Sequence, residues 1–176
     1  MTGHTRCDIQ LFAVDSFADL ISKIFMYGGQ VNGDVERTVE NGVVYVLSLP
    51  SFHWSKQAAT SNFGRYMHSC NVVGKRQLAV IGGVVIDSGI STDAFTVSGG
   101  SPDPWDQGIG IFDLTDMEWK SSYDPSAAAY VTPQLVKSYI QQNGKYPSTW
   151  ANSVVEEWFK NSNPSEFPFS MTILHN

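Results

Sequence analysis

The sequence predicts a mainly β chain of repeated sheet units, followed by a short α-helical segment. An apolar run ends in Gly-Gly twice, over Ile24 to Gly29 and Leu78 to Gly83. Each pair is followed by an apolar strand with a central aromatic and then by a Trp. In the first copy these are Val43 to Leu49 with Tyr45, and Trp54; in the second they are Gly108 to Leu114 with Phe112, and Trp119. The Gly-Gly pairs lie 54 residues apart and the Trp residues 65 apart, a period typical of repeated β-units of propeller type. Beyond Tyr123 strand-like alternation gives way to helical spacing.

The elements follow in chain order. Residues 1–23 fit the repeat poorly, and Phe17, Leu20, Ile21 and Ile24 fall at helix-like spacing, so a short amphipathic helix or irregular lead-in is expected there. Residues 24–57 form a partial unit. Ile24 to Tyr27 is its first strand, Asn41-Gly42 is a turn signal opening Val43 to Leu49, and Phe52 to Lys56 is a short outer strand. Residues 64–124 form a complete four-strand unit. Tyr66 to Val73 and Gln77 to Ile81 are joined by Gly74-Lys75-Arg76, and Gly108 to Leu114 and Met117 to Ser121 by a tight turn at Thr115-Asp116. Between them Asp87 to Gln107 is a long Ser-, Gly-, Asp- and Pro-rich excursion, the kind of loop that carries function. Residues 132–160 are helical. Thr132 is the expected N-cap and Pro133 the first helical residue, Leu135, Val136, Tyr139 and Ile140 share a face, and Asn143-Gly144 stops the helix. A second helix from about Ser148 carries Trp150, Val154, Val155, Trp158 and Phe159 as a packing stripe, and 161–176 read as a tail.

Composition excludes several classes. The chain has 176 residues, 42% of them hydrophobic and 12% aromatic, enough apolar material for a packed core. A net charge of -6, with no basic cluster, argues against nucleic-acid or anionic-membrane partners. The longest apolar stretch, Leu78 to Ile86, is broken by Gly82 and Gly83 and is far short of the roughly 20 residues of a spanning helix. Arg6, Asp8, Asp15 and Asp19 interrupt the start of the chain, so no secretory signal is read and a cytoplasmic location is expected. Cys7 and Cys70 are too few for a disulfide framework, and Cys70 is expected to be a free buried thiol.

At Arg65, His68, Gly82-Gly83, Phe112 and Trp119 the second unit resembles a Kelch repeat. The first unit shows the later half of that mark in Tyr27-Gly28-Gly29, Tyr45 and Trp54. Arg65 to Gly83, followed by Asp103 to Leu114, is similar to the final blades of fungal Kelch-repeat proteins with a galactose oxidase-like β-propeller. The resemblance implies a partial propeller of about two blades, a C-terminal fragment acting as a protein-interaction scaffold without catalysis or cofactor of its own. Relatives carry more blades, an N-terminal signal and a membrane helix. A two-blade piece leaves lateral sheet faces exposed, and self-association through them is expected.

The markers themselves read as structural. Gly-Gly permits positive φ and close backbone approach. Tyr45, Phe112, Trp54 and Trp119 are expected to fill the wedge between blades, and Arg65 to donate to carbonyls of a neighbouring turn. Interaction candidates fall in the long loop, at Asp87, Asp93, Asp103, Trp105 and Asp106. Carboxylates around an exposed Trp there suit a sugar or a cation, while Pro102 and Pro104 also allow a plain turn role. Tyr66, His68 and Cys70 alternate on one expected strand and could converge as a copper-type redox cluster. His53 is the only other His between Ile24 and Trp119, which favours His68 as a hydrogen-bonded core residue. Asp113, Asp116, Glu118 and Asp124 lack ligand spacing and read as a solvated face, and Ser98 to Ser101 lacks the Gly-Lys-[Ser/Thr] ending of a phosphate loop.

Overall fold

Alternation of side chains across a pleated strand decides which face of the first sheet is buried. In β2 (Ile21–Tyr27) Lys23, Phe25 and Tyr27 are buried, and in β3 (Val44–Leu49) Val44, Val46 and Ser48. Their registers place these residues on one face, with Tyr27 opposite Val44 and Phe25 opposite Val46. β1 (Ala13–Ser16) and β4 (His53–Lys56) pair at the two edges, giving an antiparallel sheet in the order β1-β2-β3-β4. A computed structural model of the chain describes residues 13–16, 21–29, 42–57, 63–66, 68–87 and 103–161.

Residues 13–16 and 21–23 are therefore not a helical lead-in outside the repeat: they hold β1 and the start of β2, and the first unit has its leading strand, while residues 1–12 and 17–20 lie outside the described residues. Helix-like spacing of a few apolar residues lost to pairing with β3, which needs only every second side chain inward.

The second sheet repeats the first. β6 (Ser69–Val73), β7 (Gln77–Ile81), β9 (Ile109–Asp113) and β10 (Glu118–Lys120) form an antiparallel meander in the order β6-β7-β9-β10. β5 (Phe63–Tyr66) and β8 (Val84–Asp87) lie outside it as a separate two-stranded ribbon. The expected single strand Tyr66 to Val73 is thus two, because Tyr66 closes β5 and Ser69 opens β6.

Strand registers align the sheets residue by residue. Tyr27 faces Val44 as Ile81 faces Ile109, with Tyr27 and Ile81 each standing just before a Gly-Gly. Leu47 faces Trp54 as Phe112 faces Trp119. The two Trp residues are equivalent, but Phe112 corresponds to Leu47, and Tyr45 corresponds to Gly110. The aromatic pairing of Tyr45 with Phe112 read from the sequence is out by two positions. Backbone conformation repeats as well: Phe52 and Met117, each two residues before its Trp, have φ of 54° and 59°.

One core spans both sheets. Phe25, Tyr27, Val44 and Val46 pack with Cys70, Leu78, Val80, Phe112, Leu114 and Met117. The Trp119 indole donates from Nε1 to the Gly42 carbonyl at 2.9 Å and sets its ring edge-on to Tyr27, with centroids 5.0 Å apart. Tyr45 and Trp54 do not share this wedge. They lie on the opposite face of the first sheet, where Trp54 is 49% exposed.

The helical segment closes one side of the core. α1 (Gln134–Asn143) buries Val136 against the sheets and ends at Gly144, whose amide donates to the Ile140 carbonyl at 2.8 Å. Its cap is Pro133, not Thr132. The Thr132 hydroxyl instead accepts from Lys23 Nζ at 2.8 Å, so a lysine with no exposed surface keeps a polar partner. His53 stacks on Tyr139 with centroids 3.4 Å apart. α2 (Ser153–Asn161) starts later than expected, with Asn152 Oδ1 accepting from the Val155 amide at 3.0 Å. The expected stripe divides: Trp150 and Phe159 pack on Phe52, while Val154 and Trp158 are exposed. No helix among the described residues is long and apolar enough to cross a membrane.

Candidate functional site at the double-glycine turns

Both Gly-Gly turns converge on the segment from Arg65 to His68. Gly28, Gly29, Gly82 and Gly83 all have positive φ, between 65° and 102°. The Gly29 amide donates to the Arg65 carbonyl at 2.8 Å. Arg65 Nη1 donates in turn to the Gly82 carbonyl at 2.8 Å, linking the two turns through one residue. At Gly28 a Cβ would collide with the Arg65 carbonyl, and at Gly83 it would lie 2.6 Å from the Tyr66 carbonyl. Gly29 and Gly82 have open space at the same atom, so these two are chosen for backbone conformation alone.

The Arg65 guanidinium has no exposed surface, and three groups hold it. Nη2 pairs with the Asp103 carboxylate, Nη1 meets Gly82, and the plane lies 4.1 Å from the centroid of the Trp105 ring. Trp105 packs against Trp119 at 4.9 Å and Tyr27 at 6.3 Å, over Gly110. A side chain at 110 would strike that indole at 2.7 Å. His68 is buried, its ring 5.2 Å from Tyr27.

The electrostatics follow from this packing. Partial burial would raise the Asp103 carboxyl, but hydrogen bonds from Arg65 and from the Trp105 amide at 2.9 Å, with the Arg65 charge, hold it below the usual carboxylate range. Burial pushes the Cys70 thiol up to about 12 and the Tyr27 phenol well above its ordinary value, the latter against the pull of Arg65. Both groups therefore keep their protons at neutral pH, and neither is an activated nucleophile.

The interaction candidates separate. Asp103 and Trp105 are brought together as the anchor of Arg65, with Asp103 still at the surface and Trp105 half-buried. Trp105 is not the exposed platform a sugar would stack on. Asp106 is exposed beside them, at the start of a short 3₁₀ turn. Asp87 is the last residue of β8, and Asp93 lies outside the described residues. Tyr66, His68 and Cys70 do not alternate on one strand, since β5 and β6 divide them. Among the described residues no group of three or more His, Cys, Asp or Glu stands close enough to hold a metal ion.

Asp113 corrects the reading of a solvated acidic face. It is 1% exposed, its carboxylate 2.8 Å from Arg76 Nε, and it accepts from the Thr115 and Asp116 amides to build the β9–β10 turn. Asp116 and Glu118 do lie at the surface, paired with Lys120. Lys23 and Gln77 were missed as buried polar positions. They too stand 54 residues apart, at equivalent sites on β2 and β7, a signal the Gly-Gly spacing already carried. No family model, curated protein or solved structure matches the chain.

Proposed function

We propose that the chain is a Kelch-type repeat protein, two propeller blades with a helical closing segment, and that it serves as a protein-interaction scaffold. One observation carries this reading: the markers Arg65, Gly29, Gly82 and Trp119 are engaged in joining the two sheets. Arg65 ties one Gly-Gly turn to the other, and Trp119 reaches across to Gly42. Such a scaffold holds its loops rigidly and leaves binding to the residues at their feet. Asp106, exposed beside the anchored Asp103 and Trp105, is the side chain so presented.

The test is affinity capture with quantitative mass spectrometry, comparing wild type with Asp106→Lys, alongside metal analysis of the purified protein. A reproducible partner whose recovery falls at least about tenfold with Asp106→Lys supports the scaffold. Stoichiometric copper or iron, lost on His68→Gln, would replace it with a metal enzyme of the galactose oxidase type. Capture indifferent to Asp106 would remove this surface from the reading.

A further inference from the structure

Three parts of the chain meet around a cavity in which the repeat markers take no part. Gln57, just past the end of β4, and the β9–β10 turn from Thr115 to Met117 face the start of α1 there. The cavity measures about 320 Å³, the lower end of the range for small-molecule sites, which favour seams between packed units.

Hydrogen bonds fix its walls. The Val131 amide donates to Thr115 Oγ1 at 3.0 Å and Lys23 Nζ to Thr132 Oγ1 at 2.8 Å, so the chain entering α1 is tied to both sheets. The Asp113 carboxylate in turn accepts from the Thr115 and Asp116 amides, at 2.9 and 3.0 Å. A site whose walls are already ordered loses little freedom when it fills.

The lining divides into an apolar side and a cation. Met117, Val131 and Leu135 supply the apolar side, and Val131 is 48% exposed although Thr132 and Pro133 beside it are buried. Lys137 is the one cation in the lining, and among the described residues it has no ion pair. Asp116 is the one carboxylate, and it is engaged by Arg76 at 3.1 Å and Lys120 at 3.2 Å. A ligand ammonium would have to compete with both of those cations, whereas a ligand carboxylate meets Lys137 uncontested. The first turn of α1 holds no acid and no side chain caps it, which also favours an anion.

We infer that this cavity binds a small apolar carboxylate, its charged end at Lys137 and its hydrocarbon body over Met117, Val131 and Leu135. At roughly 30 Å³ for each water-sized group, the cavity holds about ten non-hydrogen atoms, a carboxylate of about eight carbons. The inference uses none of the residues on which the scaffold reading stands.

Octanoate is the probe, titrated into the purified full chain and followed by isothermal calorimetry and by saturation-transfer NMR of its methylene protons. Wild type should bind it with Kd of about 1 mM or tighter, as about ten ligand atoms at a modest gain per atom give. Lys137→Glu should weaken octanoate at least about tenfold while octanamide, which lacks the charge, binds this variant as it binds wild type. Val131→Asn should weaken both ligands. Circular dichroism should be unchanged in the two variants, because Val131 is exposed and Lys137 is unpaired. No octanoate binding by wild type at about 10 mM would overturn the inference. So would equal octanoate affinity in wild type and Lys137→Glu, or octanamide binding wild type as tightly as octanoate.

Discussion

Arg65→Ala removes the residue that couples the two sheets at their glycine turns. Three losses follow from the geometry. The Gly82 carbonyl loses a charge-assisted bond of 2.8 Å, and hydrogen bonds to charged groups are worth about 1.5–3 kcal/mol. The Trp105 ring loses a guanidinium stacked at 4.1 Å, about 0.5–2 kcal/mol. Asp103 loses its ion pair but is 30% exposed and keeps the Trp105 amide, so its share is small. The total is about 4 kcal/mol. At about 2–4 °C per kcal/mol for a chain of this length, Tm should fall by roughly 8–16 °C. Urea denaturation followed by tryptophan fluorescence measures the difference, with Asp103→Asn as the comparison at about 1 kcal/mol. A cost below about 1 kcal/mol for Arg65→Ala, or equal costs for the two variants, would refute the view that Arg65 is the joint and Asp103 only its partly solvated partner.

Gly28→Ala and Gly83→Ala should each cost well over the roughly 1–2 kcal/mol of a left-handed alanine, because a Cβ meets backbone there. Gly29→Ala and Gly82→Ala should stay near that figure, and thermal denaturation of the four variants reads the contrast. Trp119→Phe keeps an aromatic ring but loses the bond to Gly42 and part of the indole's packing, so it should cost at least about 1 kcal/mol with the native circular dichroism spectrum retained. Acidification should act in two stages in a pH series of Tm. Desolvation holds the His53 ring below its ordinary value, so its contribution is present above about pH 6.5 and is lost as pH falls; His53→Phe should abolish this stage. Asp103 is also held low, so its contribution persists above about pH 3.9 and is lost as pH falls through its folded value. On the alkaline side Cys70 is raised, so its contribution is full below about pH 8.5 and declines as pH climbs toward about 12; Cys70→Ala should flatten that limb.

Features set by local chemistry were legible from sequence. The Gly74-Lys75-Arg76 turn, the β9–β10 pair and the end of α1 at Gly144 each need only a few neighbouring residues, and each stands where its signal lies. Pairing over distance was not legible. β2 was hidden because Ile21 and Ile24 extend a helix-like spacing in the sequence, and only the β2–β3 register selects the strand for them. Trp105 looked like an exposed loop aromatic because its partner, Arg65, stands forty residues earlier in the chain. Asp113 looked solvated for the same reason: Arg76, which neutralises it, comes from the turn before β7.

The slot beside Trp119 shows how two units keep one geometry with different sequences. At Tyr45 the strand carries its own ring, and at the equivalent Gly110 it carries none. Space over Gly110 is taken instead by Trp105, which comes from the connection between β8 and β9. That connection is where the second unit exceeds the first, since the Trp spacing is eleven residues longer than the Gly-Gly spacing. The additional chain therefore is not simply an appended surface loop. Its last residues bring in the Asp103 carboxylate that meets Arg65 and the indole that stacks on it, and β8 at its start pairs with the strand holding Arg65. Glycine at 110 and arginine at 65 are thus two halves of one solution: the strand gives up a side chain so that a distant ring can sit on the guanidinium joining the sheets.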